Sequence, residues 1–140
     1  MHWISREVKE LQIKYSTTDP YELADCLGYI VVPCPFRKIR GMLLVLEGIA
    51  CIGYSTLLPR RQRELVVYHE IAHRLLHPEL NYFTLLENTY FYPGKFERQA
   101  DRFVAELLLA EKKPQPGESV YEFAARYEVP VELVNTLVAR

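Results

Sequence analysis

Cysteine is scarce: Cys26, Cys34 and Cys51 are the only three in 140 residues. An odd number without a C-x-x-C pair argues against a disulfide framework and against a cysteine-rich structural zinc site. The first residues also lack a charged segment followed by an apolar run, so no secretory signal is expected and a reducing cytoplasm is the simpler location. Excess charge of one sign is missing as well. Lys and Arg total 17 against 18 Asp and Glu, a net charge of −1, which gives the chain no polyelectrolyte character. Long apolar runs are nearly absent. Gly41 to Leu58 carries only Glu47 as charge and approaches the length of a membrane span. Basic residues flank it on both sides (Arg37, Lys38, Arg40; Arg60, Arg61, Arg63) and Glu47-Gly48 interrupts it, so no membrane partner is expected. No internal repeat or low-complexity linker is present.

With 49% hydrophobic residues, the chain can build one compact domain with a real core. The Pro114–Gly117 segment is its one seam. The expected organisation is a core over residues 1–113, with 114–140 as a C-terminal helical extension packed on it. Gly41–Leu46 and Ile49–Tyr54 read as two strands meeting at the Glu-Gly turn, with Ile30–Val32 as a third. Ile4, Val8, Leu11 and Tyr15 mark an amphipathic first helix. Asp19-Pro20-Tyr21-Glu22 starts a second that Gly28 closes, and Ser119-Val-Tyr-Glu122 starts another. A turn at Glu128–Pro130 leads into Val131–Val138. The fold class is therefore α+β: a small three-stranded antiparallel sheet packed with two longer central helices and short helices at both ends.

The first of those central helices, Gln62 to His77, contains His69-Glu70-Ile71-Ala72-His73, an H-E-x-x-H sequence. Histidines four apart on a helix share one face, so both rings can reach one zinc ion at about 2.0–2.1 Å. Glu70 then lies beside the metal, placed to take a proton from a water that the metal acidifies. The competing view is two polar positions on an amphipathic helix. A catalytic zinc needs a third protein ligand and an open position. His77 lies about 12 Å of helix rise beyond His69, too far to share the ion. As a cation-capable residue in the last turn before Pro78, it suits the negative helix end.

Glu97 is the better third ligand. From Phe96 to Glu111 the residues Phe96, Ala100, Phe103, Val104, Leu107 and Leu108 recur at intervals of three and four, one buried helical stripe. Glu97 and Asp101 project from one face at its edge. One carboxylate can ligate zinc while the other accepts the free ring N–H of a ligand histidine. Solvated pairs among Glu97, Arg98, Asp101 and Arg102 are the alternative, although stacked like charges repel unless something positive lies between them.

These residues carry a family resemblance. His69-Glu-Ile-Ala-His73 with Leu75-Leu76-His77, followed by Glu97-Arg-Gln-Ala100-Asp101-Arg-Phe103-Val-Ala105-Glu-Leu107-Leu108, resembles the ImmA/IrrE family of bacterial and phage metallopeptidases. That family pairs HExxH with a downstream E-x-x-A-[N/D]-x-F-A-x-x-L-L segment. The resemblance implies one Zn2+ per chain held by His69, His73 and Glu97, with Glu70 catalytic and Asp101 supporting the ligands. The upstream hairpin and the paired C-terminal helices are similar too. One departure is visible: the family's proline directly after the Leu-Leu run is displaced here to Pro114.

The resemblance implies limited cleavage of a protein substrate, a helix-turn-helix repressor of a mobile element or stress regulon. Two other classes stay open: a zinc-binding protein that sequesters a repressor without cutting it, and a structural-zinc interaction module with His2 or Cys51 as fourth ligand. Direct nucleic-acid binding is not expected, because residues 114–140 hold two arginines against four glutamates and lack a basic footprint. Tyr54, Tyr68, Tyr82, Tyr90 and Tyr92 are available as oxyanion helpers. Arg60, Arg61 and Arg63 oppose the dipole at the start of the HExxH helix and read as a solvated face. Finally, the strand before that helix, with Ile49, Ala50, Cys51, Ile52, Gly53 and Tyr54, could present a free edge to which an extended substrate adds; the competing view is that it is central and its edge is covered by another strand.

Overall fold

The computed structural model describes residues 2–78, 83–86 and 94–138. The element order is α1 (His2–Tyr15), α2 (Pro20–Cys26), β1 (Ile30–Cys34), β2 (Gly41–Leu46), β3 (Ile49–Ser55), α3 (Arg60–Leu76), β4 (Phe83–Leu86), α4 (Lys95–Leu109), α5 (Val120–Arg126) and α6 (Val131–Val138). The class is α+β, and among the described residues no helix is long and apolar enough to cross a membrane.

The helix starts follow local chemistry. Asp19 Oδ1 accepts from the backbone N–H of Tyr21 and Glu22 at 2.9 and 3.0 Å. Ser119 and Glu122 make the full reciprocal capping box at 3.0 and 2.8 Å, which satisfies donors that a helix N-terminus leaves open. The β2–β3 hairpin turns at Glu47-Gly48 with φ of 49° and 79°. Two successive positive φ values are the primed turn that matches strand twist, and the glycine adopts its share without strain.

The sheet differs from the expected one. It has four strands in the order β1-β3-β2-β4, and it is mixed: β2 pairs antiparallel with β3 and β4, but β1 pairs parallel with β3, Ile30 opposite Cys51 through Cys34 opposite Ser55. The expected sheet was three-stranded and antiparallel; β4 is an additional strand, and β1 takes the second edge of β3 in parallel. The crossing chain is pinned where the Ser55 hydroxyl donates to the Phe36 carbonyl at 2.6 Å. As a result β3 is internal. The free substrate edge expected along Ile49, Ala50, Cys51, Ile52, Gly53 and Tyr54 does not exist, because β1 and β2 take up the backbone groups of Cys51–Tyr54 from both sides.

One face of the sheet packs on α3, and α4 and α2 cover that helix from other sides. Every residue from Leu65 to His73 is buried, the pattern of a central helix rather than one with a solvated face. Sheet and helix approach closely at Gly41, where a Cβ would stand 2.3 Å from Val66 Cγ1 and 2.8 Å from the Gly53 carbonyl oxygen. On α4, Ala100, Phe103, Val104 and Leu107 are buried as the stripe requires, but Phe96 is 43% exposed. The stripe thus begins one turn later than its periodicity suggests. α6 packs along α4, with Arg102 donating to the Thr136 carbonyl at 2.7 Å.

Of the basic group at the start of α3, Arg60 is exposed, whereas Arg61 and Arg63 are bonded to carbonyls rather than left to solvent. Arg63 donates to the carbonyls of Leu58 and Thr56 at 2.7 and 2.6 Å. Arg61 donates to those of Glu128 and Tyr127, both at 3.1 Å, and to Glu64 Oε1 at 3.1 Å. Arg61 thereby caps the carbonyl end of α5, where a cation is favourable.

Tyr68, on the buried flank of α3, donates its hydroxyl to the Thr18 carbonyl. Burial pushes its pKa up to about 12, with Arg61 pulling the other way, and burial likewise raises Tyr29 to about 12. A folded-state pKa above the unfolded value near 10 gives stability that is complete below pH 10 and lost as pH rises toward 12. Tyr68→Phe should cost about 1 kcal/mol at pH 7, since it leaves that carbonyl without its donor. Between pH 9.5 and 11.5 its melting temperature should fall less steeply than that of the wild type. Parallel curves would show that Tyr68 does not carry the alkaline loss.

Candidate metal centre

α3 and α4 meet at the polar residues. Four-residue spacing puts His69 and His73 on one face of α3, and α4 crosses so that Glu97, in its first turn, projects between them. His69 Nε2 stands 3.0 Å from Glu97 Oε2, His73 Nε2 2.8 Å from Oε1 and 2.9 Å from Oε2, and the two Nε2 atoms are 3.2 Å apart. A tetrahedral ion with bonds of about 2.0–2.1 Å keeps its ligand atoms about 3.3 Å from one another, so this set is close to the spacing such an ion needs. Among the described residues, the metal-capable cluster is His69, His73 and Glu97. Neither His2 nor Cys51 belongs to it.

The electrostatics also call for a cation. Burial works against a charge on His69, yet contacts with Asp101 and Glu97 outweigh it and raise its pKa to about 10. Burial alone would raise Glu97, but the two rings hold its carboxyl well below the usual carboxylate range. For His73 burial prevails and lowers the pKa. These carboxylates draw positive charge to the point where the three side chains meet, and a divalent ion supplies it while leaving both rings neutral.

Asp101 is buried with Oδ1 3.3 Å from His69 Nδ1. Burial pushes its carboxyl up, against the pull of the ring. Leu65, Val104, Pro130 and Leu133 enclose this pair, so α6 and the turn before it form its back wall. The alternative of solvated pairs does not hold for Arg102, which turns to Glu106 at 2.8 Å.

Glu70 is 0% exposed, and among the described residues both of its carboxyl oxygens lack a hydrogen-bond partner. Burial raises its pKa to about 7, with His69 lowering it and Glu97 raising it. A buried carboxylate with no partner is rare outside functional sites, and a pKa near neutrality suits a proton carrier.

His77 stands at the C-terminal end of α3, as expected, and is buried there. It is 3% exposed, its Nε2 lies 2.8 Å from Gln99 Oε1, and its ring packs 4.3 Å from that of Phe96. Gln99 was not singled out by sequence, because two residues from Glu97 it does not share a helix face with it. The available signal was the third histidine itself, at i, i+4 and i+8. Of the candidate oxyanion helpers, Tyr68 is engaged with Thr18 and Tyr54 packs edge-on against Tyr21; Tyr82, Tyr90 and Tyr92 lie outside the described residues.

Comparison with known proteins is consistent with this centre. The family model described as the IrrE N-terminal-like domain, peptidase group M78, matches residues 24–137. The chain is 32% identical over 135 residues to Metallopeptidase ImmA of Bacillus subtilis (strain 168), covering 91% of this chain and 79% of that protein. It is 34% identical over 109 residues to Uncharacterized immunity region protein 2 of Bacillus phage phi105, covering 77% of this chain and 69% of that one. With a family match that spans both α3 and α4, the chain belongs to the IrrE N-terminal-like domain family and is a metallopeptidase.

Proposed function

We propose that the chain is a zinc-dependent endopeptidase of the reducing cytoplasm, making a limited cut in a helix-turn-helix repressor of a mobile element or stress regulon. The observation that carries this reading is the convergence of His69, His73 and Glu97 beside the unpartnered Glu70 carboxylate. The repressor as substrate class rests on the motif resemblance and on the relatives' names, ImmA and a phage immunity region protein.

His69, His73 and Glu97 would hold the ion, which when bound supplies Lewis acidity and lowers the pKa of water. Glu70 takes the proton of the attacking water and returns one to the leaving amine. Asp101 accepts the Nδ1–H of His69, fixing that ring's tautomer and direction. Because Glu70 and both rings are buried, bulk solvent is kept from competing for these protons. Pro130 and Leu133 line a small cavity together with His69 and Asp101, which supports reading residues 114–140 as an extension packed on the core.

Purified protein should carry one zinc per chain, and Glu97→Ala should lose most of it at equal protein concentration, measured by atomic emission after dialysis. Full zinc retention in Glu97→Ala would remove Glu97 from the ligand set. Loaded with zinc, the wild type should cut its repressor at one site; tight binding without cleavage would favour sequestration instead.

A further inference from the structure

The two histidines of the centre are backed unequally. His69 has its second ring nitrogen engaged, Nδ1 facing Asp101 Oδ1 at 3.3 Å. His73 does not: with Nε2 turned to Glu97, its Nδ1 is buried and has no hydrogen-bond partner among the described residues. An imidazole that ligates through one nitrogen carries hydrogen on the other, and metal sites nearly always give that N–H an acceptor.

One turn along α3, His77 presents the complementary deficit. Its Nε2 contacts Gln99 Oε1 at 2.8 Å. An amide oxygen only accepts, so Nε2 holds the hydrogen and Nδ1 is left as an acceptor. That Nδ1 is also buried and without a partner among the described residues. The His73 and His77 rings lie 5.7 Å apart, centroid to centroid, on adjacent turns of one helix face. A donor in need of an acceptor therefore sits beside an acceptor in need of a donor, and the Phe96 ring packs on His77.

We propose that His77, with its tautomer set by Gln99, is the positioning residue for His73: its Nδ1 accepts the His73 Nδ1–H, directly or through one water, when the metal seats that ring. This rests on the metal-centre reading above and extends it to two residues outside the ligand set. α4 then serves both histidines of α3 and the one that caps it: Glu97 lies between His69 and His73, Asp101 orients His69, and Gln99 orients His77 and through it His73. One ligand is backed by an anion and the other by a neutral ring. A neutral acceptor fixes direction without adding a further negative charge to a centre that already holds Glu70, Glu97 and Asp101.

The test is zinc affinity by chelator competition in wild type, Glu97→Ala, His77→Phe, His77→Asn and Gln99→Leu, with ring-nitrogen NMR of the zinc-loaded wild type. His77→Phe and Gln99→Leu should weaken zinc binding about ten- to a hundredfold. His77→Asn, whose amide oxygen can accept the same N–H, should recover most of that loss. The spectra should show His77 neutral with its hydrogen on Nε2, and a His73 Nδ1–H protected from exchange. A folded His77→Phe with wild-type affinity would overturn the proposal, as would a His77 hydrogen on Nδ1. If His77→Phe does not fold, Gln99→Leu and the wild-type spectra decide the question. A wild type without zinc, or a Glu97→Ala with unchanged affinity, would instead defeat the metal-centre reading itself.

Discussion

Glu70→Gln is expected to keep the fold and the metal while substrate cleavage falls by about 10²–10⁴-fold, the usual contribution of a positioned general base. The exchange preserves shape at a position that is 0% exposed, so it creates neither a cavity nor an overpacked contact. It leaves His69, His73 and Glu97 untouched, which is why metal content should not change. What disappears is the ability to accept a proton at neutral pH. The comparison should be made at matched zinc occupancy, by single-turnover cleavage of the repressor. Cleavage at the parental rate would remove Glu70 from the chemistry, whatever its burial suggests.

Ile52→Pro should abolish folding, and zinc binding with it. Ile52 is fully buried and lies opposite Val31 on one side and Leu43 on the other. Proline there removes a ladder donor, leaves a buried carbonyl unpaired and replaces a close-packed side chain with a smaller ring. Together these cost about 4 kcal/mol or more, a large share of the roughly 5–15 kcal/mol that holds a domain of this size. Circular dichroism and thermal melts would report the loss. A folded, zinc-loaded Ile52→Pro would mean that β3 has a free edge after all and that extended substrate could dock along it.

Much of the candidate centre could be read from local spacing. His69 with His73, and Glu97 with Asp101, are both four-residue pairs, and the helix repeat alone puts each pair on one face. The turn at Glu47-Gly48 and the starts at Asp19 and Ser119 were legible for the same reason: a few adjacent residues satisfy their own backbone groups. The three expected strands fall on β1, β2 and β3, but β4 was not expected, and β3 was given an exposed edge because nothing in its alternation says which strand lies beside it.

Sequence by itself determined the helices, three of the four strands, the α+β class, and which side chains could meet a metal, since these depend on backbone periodicity within one segment. Only the tertiary structure decided that β1 runs parallel to β3 and closes its edge. It also decided that Arg61 and Arg63 are spent on carbonyls and that Gln99 reaches His77. Each of those pairings joins residues from different elements, so it is set by how the whole core packs rather than by the residues on either side.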